Sequence, residues 1–287
     1  MNGRDLIVWW NGRFEHVNAV RISPLDRGLQ YGDGLFETVR VEKGRALFLE
    51  EHLNRLAKSL EELRINPNLP ELRTFLDAYE TAHIVHDLIR RNGLEDRICR
   101  LKIIVTRGVA DGLGLPEATA PTVIMMVFPY NPPNPEEYEV GWKAITLRHI
   151  FTPFCARYKT LNYLVFLMAR EEARRRGAQE ALLVDREEHL AEGAASSLLA
   201  FKDGFWIEPV TSWKLPGVTI AKVIEFLKEM GEKVSKMRFS VEDLRKCDTL
   251  WITNSMIGVM PLSSVDDRKL PDLKAGLAEV VRNRLFS

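Results

Sequence analysis

The sequence is poor in cysteine: Cys99, Cys155 and Cys247 are its only three, and they are scattered. An odd, dispersed set without a CxxC pair excludes a disulfide framework and a thiolate metal cage, and it points to a reducing cytoplasm. Neither charge is in excess, since 40 Lys and Arg balance 40 Asp and Glu. That removes any electrostatic case for nucleic acid or an anionic membrane surface. No apolar run reaches the roughly 18–20 residues of a membrane span. The start, Met1-Asn2-Gly3-Arg4-Asp5, leads to Trp9-Trp10 without the apolar core and small-residue cleavage site of a leader. The GxxxxGK phosphate loop and the GxSxG elbow are both missing. Gly32-Asp33-Gly34 starts like a dinucleotide fingerprint, but its third glycine is absent and a strand-like run follows where a helix is required. His83 and His86 stand three apart on a predicted helix without further ligands in view, so they read as a solvated face and no metal is expected. There is no internal repeat and no low-complexity tract.

What is present is a globular composition, 46 % hydrophobic and 28 % charged over 287 residues, enough for two cores. Leu6–Trp10 and Arg13–Val17 flank Asn11-Gly12, which predicts a hairpin on a primed turn. An irregular Gly/Pro-marked stretch over 23–34 runs into an alternating strand at Leu35–Val41, then a turn at Lys43-Gly44. Leu53, Leu56, Leu60 and Leu63 form one stripe of a helix over 49–63, ended by Pro67 and Pro70. A second long helix is expected over 71–91, stopped at Asn92-Gly93, and strands over 98–106 and 122–128 with a loop at 109–120 between them. Four prolines fall within Pro129–Pro135, where neither a helix interior nor a central strand fits. The expected organisation is therefore a first domain over 1–128, a linker over 129–137 and a second domain over 138–287. The second half should hold strands at 142–148, 181–185, 198–201, 205–208 and 249–253. It should also hold an irregular run at 151–156 and helices ending near Arg176, over 218–230 and over 273–285. Without regular βαβ alternation, the class is α+β.

Lys159 stands ahead of the apolar run 161–169, read here as the head of a helix. Burial and the helix dipole both disfavour a charged lysine there, and a neutral lysine attacks carbonyl carbon. Alone it would be an ordinary surface lysine. Glu192-Gly193 puts an acid before the small residues Ala194-Ala195-Ser196-Ser197. Pro216-Gly217-Val218-Thr219 sets a glycine and a hydroxyl at a helix start, where backbone N–H groups bind anions, although ordinary helix starts share that composition. Thr253-Asn254-Ser255 ends a strand with three hydrogen-bonding side chains, and Arg55 lies on the polar side of its helix. Together these make the set that pyridoxal phosphate needs: an imine lysine, an acid for the ring nitrogen, and an anion site with an arginine.

In this order the residues resemble the fold-type IV pyridoxal-phosphate enzymes, the family of branched-chain aminotransferases, D-amino-acid aminotransferases and aminodeoxychorismate lyases. The resemblance runs through Asp26-Arg27-Gly28, Tyr31-Gly32-Asp33-Gly34 to Arg40, Glu51–Leu56, Lys159–Tyr163, Glu192–Ser197, Leu215–Thr219 and Thr253–Ser255. It implies two α+β domains with the cofactor between them, and a homodimer or larger assembly. Lys159 would form the Schiff base and shuttle the proton. Glu192 would pair with the pyridine nitrogen and Tyr163 with the phenolic oxygen. Arg55, Ser196, Gly217, Val218, Thr219, Thr253, Asn254 and Ser255 would complete the cofactor site. Tyr31, Arg40, Arg100 and Arg157 would line the substrate side. The implied reaction is amino transfer between an amino acid and a 2-oxo acid; the alternatives are an aminodeoxychorismate lyase releasing pyruvate and 4-aminobenzoate, and an inactive ligand-binding homologue. The loop Val109–Pro116 lacks both the glycine-arginine-glycine run of many lyases and the arginine-x-histidine pair of D-amino-acid enzymes. Ile220 replaces the family's usual arginine.

Overall fold

Asn11 and Gly12 both take positive φ, 44° and 88°, and join strands β1 (Ile7–Trp10) and β2 (Arg13–His16) in the hairpin the Asn-Gly pair predicts. The protein is described here by a computed structural model covering residues 5–118, 120–151, 153–271 and 273–287. Residues 1–4 of the start, Thr119 of the 109–120 loop and Thr152 of the 151–156 run lie outside the described residues, as does residue 272. The chain packs as two compact units: Met1–Asn131 with Tyr158–Asn162, and Pro132–Arg157 with Tyr163–Ser287. By its contacts the short Lys159 segment therefore goes with the first unit, whereas the sequence groups it with everything after residue 138.

The first unit continues with α1 (Arg27–Tyr31), β3 (Gly34–Glu42), β4 (Arg45–Ala46), α2 (Leu49–Glu62), α3 (Pro70–Leu76), α4 (Ala78–Arg91), β5 (Cys99–Thr106) and β6 (Thr122–Pro129). Among the described residues its strands form one antiparallel sheet in the order β2-β1-β6-β5-β3-β4. Strand alternation sorts the side chains. Leu35, Val39, Leu101, Ile103, Val105, Val123 and Met125 face the core, covered by Leu53, Leu56 and Leu60 of α2 and Val85, Leu88 and Ile89 of α4. Each buried leucine there is worth about 1.5–3 kcal/mol. The opposite face carries three cross-strand rows: Phe36, Ile104 and Ile124; Thr38, Lys102 and Met126; Arg40, Arg100 and Phe128. The expected single helix over 71–91 is two helices. Asp77 sits at φ −75°, ψ 123° and accepts hydrogen bonds from the Tyr79 and Glu80 N–H groups, so it caps a new helix instead of continuing the old one. Pro70 opens α3 within its first turn, where a missing N–H costs nothing.

The second unit contains α5 (Pro135–Val140), β7 (Trp142–Phe151), α6 (Leu164–Arg175), β8 (Glu180–Val184), β9 (Leu190–Gly193), β10 (Ser197–Lys202), β11 (Phe205–Pro209), α7 (Val218–Glu229), β12 (Val234–Met237), α8 (Val241–Leu244), β13 (Thr249–Asn254), β14 (Gly258–Val265), β15 (Arg268–Lys269) and α9 (Ala275–Phe286). Its mixed sheet runs β12-β11-β10-β13-β14-β7-β8-β9, with β15 on β14. The helices and strands are α+β, as expected. The proline run is not wholly a linker. Asn134 and Glu137 form a reciprocal capping box that starts α5 with Pro135 in its first turn. Strand β14 passes straight through Pro261, next to a register irregularity between Leu262 and Ser264, the kind of position where a strand tolerates proline. Among the described residues, no helix is long and apolar enough to cross a membrane.

Candidate active site

Lys159 is not in a helix. Helix α6 begins at Leu164 with Tyr163 as its cap, so the dipole expected to act on Lys159 starts four residues later. Residues 159–162 instead run along the start of β3. The Phe36 N–H donates to the Lys159 carbonyl at 2.8 Å, the Leu161 N–H donates to the Gly34 carbonyl at 3.0 Å, and Asn162 Nδ2 donates to the Gly32 carbonyl at 3.1 Å. Glycine is required at 34: a Cβ there would lie 2.6 Å from the Val105 carbonyl oxygen and 2.9 Å from Leu161 Cδ1. Lys159 Nζ is held 4.7 Å from the Phe36 ring centroid.

On the core side of the same strand lies a charged network that the sequence reading missed. Glu37 is buried and accepts Arg55 Nε–H at 2.8 Å, Arg55 Nη2–H at 2.6 Å and His52 Nδ1–H at 2.7 Å. Burial by itself would raise the Glu37 pKa; the Arg55 charge and these hydrogen bonds override it and hold the carboxyl at about 2. Burial, helped by the Arg55 and Lys159 charges, lowers the His52 pKa against the pull of Glu37. The imidazole is then neutral, with its proton on Nδ1 facing Glu37. The Glu37 fork uses two of the Arg55 nitrogens. The available signal was register: Glu37 alternates with Leu35 and Val39 on the core face, where a carboxylate needs a counter-charge.

The N-terminal signature is a clamp. Asp33 accepts Arg27 Nε–H at 2.8 Å, Arg107 Nε–H at 2.8 Å and Arg107 Nη2–H at 3.1 Å. Arg27 then donates to the carbonyls of Gly112 and Gly114, and Arg107 to those of Pro116, Leu63 and Arg64. The loop 108–118 is thus pinned by two guanidiniums on one carboxylate. Of the expected substrate residues in this unit, Tyr31 is exposed with Arg27 over its ring, Arg40 is buried and paired with Glu42, and Arg100 is exposed over Phe128. Arg157 belongs to the second unit and ends a short 3-10 turn, Phe154–Arg157.

In the second unit the segment 192–197 gathers most of the expected cofactor residues. Glu192 is buried and accepts the Leu215 N–H at 3.2 Å. Tyr163 donates to the Ala194 carbonyl at 2.8 Å. Burial first, then the Glu192 and Glu180 charges, push the Tyr163 phenol well above its ordinary range, so it keeps its proton. Ser196 donates to Glu180 at 2.9 Å, and Asn254 Nδ2 donates to the Ala195 carbonyl at 2.9 Å. Asn254 Oδ1 also accepts the Met256 and Ile257 N–H groups, and Ser255 sits in that turn. Gly217 caps α7 with no side-chain bond, leaving the N–H groups of the first turn uncapped by a side chain. A Cβ on Gly217 would come 2.5 Å from Ser197 Oγ, and Ser197 is the strand partner of Thr253. Thr253 Oγ1 is buried without a hydrogen-bond partner among the described residues, and Thr219 is buried at the helix start. Glu180, which the sequence reading did not single out, is fully buried, and burial raises its pKa.

These hydroxyls, a helix start and a buried acid suit a phosphorylated, protonated pyridine; Thr253 lacks the kind of partner a phosphate oxygen provides. Among the described residues no group of His, Cys, Asp and Glu suited to a metal exists. The chain belongs to the amino-transferase class IV family, whose model matches residues 34–265. The D-alanine aminotransferase of Bacillus licheniformis is 31 % identical over 92 % of this chain and 89 % of its own length. The aminodeoxychorismate lyase of Bacillus subtilis is 26 % identical over 91 % of this chain and 87 % of its own. Among solved structures, a T.th. branched-chain amino acid aminotransferase complexed with N-(5'-phosphopyridoxyl)-L-glutamate superimposes with a TM-score of 0.84 at 26 % identity. The match covers 98 % of this chain and 93 % of that one. Class IV aminotransferases use pyridoxal 5'-phosphate.

Proposed function

We propose that this chain is a pyridoxal-phosphate aminotransferase moving an amino group between an amino acid and a 2-oxo acid, as a homodimer in the cytoplasm. The observation that carries the proposal is the buried Glu192 beside the uncapped Gly217–Thr219 helix start and the partnerless Thr253 hydroxyl among the described residues of one unit. When bound, pyridoxal phosphate supplies a carbonyl that condenses with amines and a ring that draws electrons from the substrate α-carbon. Lys159 Nζ would be the amine that holds the cofactor's carbonyl group and, when free, would take the substrate α-proton and return it. Glu192 would keep the ring nitrogen protonated, and Tyr163, whose phenol stays protonated, would turn its hydroxyl from the Ala194 carbonyl to the cofactor's phenolic oxygen. The N–H groups of Val218 and Thr219, with Arg55, Ser196, Gly217, Thr253, Asn254 and Ser255, hold the phosphate end or the backbone around it. Tyr31, Arg40, Arg100 and Arg157 serve the substrate side. The buried free thiols Cys99 and Cys247 suit a reducing compartment, and exposed Leu29 and Leu113 suit a second copy.

Purified protein given the cofactor should turn yellow. Borohydride reduction and peptide mapping should place the cofactor on Lys159, and Lys159→Ala should bind it only reversibly. A borohydride-stable adduct in Lys159→Ala would sink the assignment. The second reading, an aminodeoxychorismate lyase, is supported by the Bacillus subtilis relative. Supplying aminodeoxychorismate without any oxo acid separates the two: pyruvate release without amino transfer to any oxo acid selects the lyase.

A further inference from the structure

Glu180 opens β8, is 0 % exposed and has no part in the amino transfer proposed above. Its Oε2 accepts the Ser196 hydroxyl at 2.9 Å, its Oε1 accepts the Ala181 N–H at 3.0 Å, and the Ala195 N–H also bonds the carboxyl. Among the described residues it makes no ion pair, and burial raises its pKa against those bonds. A buried carboxylate without a counter-charge is a costly way to fill space, which an apolar side chain of the same volume fills at no such cost. The donors it gathers show another use. Ala195 and Ser196 belong to the turn that joins β9 to β10. That turn closes through the Gly193 N–H on the Ser196 carbonyl at 2.7 Å, and its Ala194 N–H donates to the Ala181 carbonyl at 2.8 Å. A Cβ on Gly193 would lie 2.1 Å from Ser196 Oγ and 3.2 Å from Glu180 Cδ, so the backbone there rests directly on the Glu180–Ser196 pair. Glu192 is the residue before that glycine, and the Ala194 carbonyl just after it accepts the Tyr163 hydroxyl at 2.8 Å. After burial, the Glu192 and Glu180 charges are what push the Tyr163 phenol up, so the three acids are neighbours around one turn.

From this geometry we propose that Glu180 is a positioning residue: through Ser196 and Ala195 it fixes the turn 193–196, and so the placement of the Glu192 carboxyl and the Tyr163 hydroxyl. A carboxyl suits the task because both its oxygens accept, one from the start of β8 and one from the turn. The turn is thereby tied to β8 by a side chain as well as by the Ala194 backbone bond. This role rests on Glu192 and Tyr163 taking the ring nitrogen and the phenolic oxygen of the cofactor.

The test compares the full chain with Glu180→Met, which keeps the length and loses the acceptors, and with Glu180→Gln, whose amide still accepts the Ala181 N–H and donates to Ser196 Oγ. Before cofactor is added, hydrogen exchange in Glu180→Met should speed up by about 10- to 100-fold at the amides of 193–196 and at Leu215, whose N–H is held by Glu192. That factor is the effect of one hydrogen bond to a charged group. The β13 amides should be unchanged, and Glu180→Gln should follow the wild type. With pyridoxal phosphate isotopically labelled at its ring nitrogen, magnetic resonance should show that nitrogen protonated in the wild type. Glu180→Met should move the signal toward the unprotonated position and slow α-deuterium washout, and Glu180→Gln should restore both. Unchanged exchange in Glu180→Met, or exchange raised equally in β13, makes Glu180 a residue that only fills space or stabilises the whole unit, and overturns the proposal. A Glu180→Gln that behaves like Glu180→Met overturns it too. Where Glu180→Met fails to fold, Ser196→Ala cuts the link to the turn alone, and unchanged exchange at Leu215 in that variant overturns the proposal. A wild type whose ring nitrogen carries no proton refutes the role of Glu192 toward the cofactor, while the exchange result still decides that of Glu180.

Discussion

Asp33→Ala probes the clamp that orders the loop 108–118. Asp33 receives three guanidinium hydrogen bonds, and Arg107, which makes two of them, is 0 % exposed. The substitution leaves Arg27 and Arg107 bonded only to carbonyl oxygens, with no opposite charge in their place. Summing charge-assisted hydrogen bonds one by one would overstate the loss, because the bonds share one carboxylate. The better guide is the removal of one partner from a buried ion pair, about 3–5 kcal/mol. Burial would raise the Asp33 pKa, yet the Arg107 and Arg27 bonds and charges drive it below the ordinary aspartate value. Its stabilisation is thus present above that ordinary value and lost as pH falls through the lowered one. At neutral pH the melting temperature should drop by roughly 6–20 °C, given about 2–4 °C per kcal/mol for a chain of this size. Because Arg27 and Arg107 hold the carbonyls of Gly112, Gly114 and Pro116, amide exchange over 109–118 should speed up before any global change. Differential scanning fluorimetry and hydrogen exchange read the two effects. A loss under about 1 kcal/mol with unchanged protection of the loop would refute the clamp.

Two further outcomes follow from the buried acids. Glu37→Gln should cost the protein about 3 kcal/mol at pH 7 in urea unfolding, since moving a carboxyl from 4.5 to about 2 stabilises its charged form by about 1.4 kcal/mol per tenfold change in proton affinity. In the wild type that contribution is complete above about pH 4.5 and fades as pH falls toward about 2; a variant as stable as wild type at pH 7 contradicts the charged network. Glu192→Gln should keep the yellow cofactor but slow washout of an α-deuterium by about 100-fold or more, and a near-normal rate would remove its role at the ring nitrogen.

Local chemistry was the legible part of the fold. Asn11-Gly12 demanded positive φ, the Leu53, Leu56 and Leu60 spacing demanded a buried helix face, and both are present. What was not legible needed competition between local signals. Asp77 is an acceptable helix residue by composition, and only its ability to cap the next two N–H groups splits the helix there. Pro135 looked like part of a linker because a proline reads as a breaker until Asn134 and Glu137 close a capping box around it. Strand β14, which carries Pro261, was not among the expected strands, and the register irregularity just beyond that proline lies in its pairing with β7, far away in sequence.

The candidate site divides along similar lines. Motif residues were visible because their types are unusual together, but the forces acting on them were not. Lys159 was expected to owe its reactivity to a helix N-terminus. Its backbone is instead fixed by pairing with Gly34 and Phe36, and its ammonium lies over the Phe36 ring. That difference matters for mechanism. A dipole would act on the lysine through the orientation of α6, whereas strand pairing ties it to β3, whose Glu37 holds Arg55 of α2 on the core face. Glu37 and the Gly34–Phe36 segment that pairs with Lys159 thus lie on one strand, β3. No spacing in the sequence announces this, because it depends on which side of β3 each alternate residue faces once Lys159 has joined its edge.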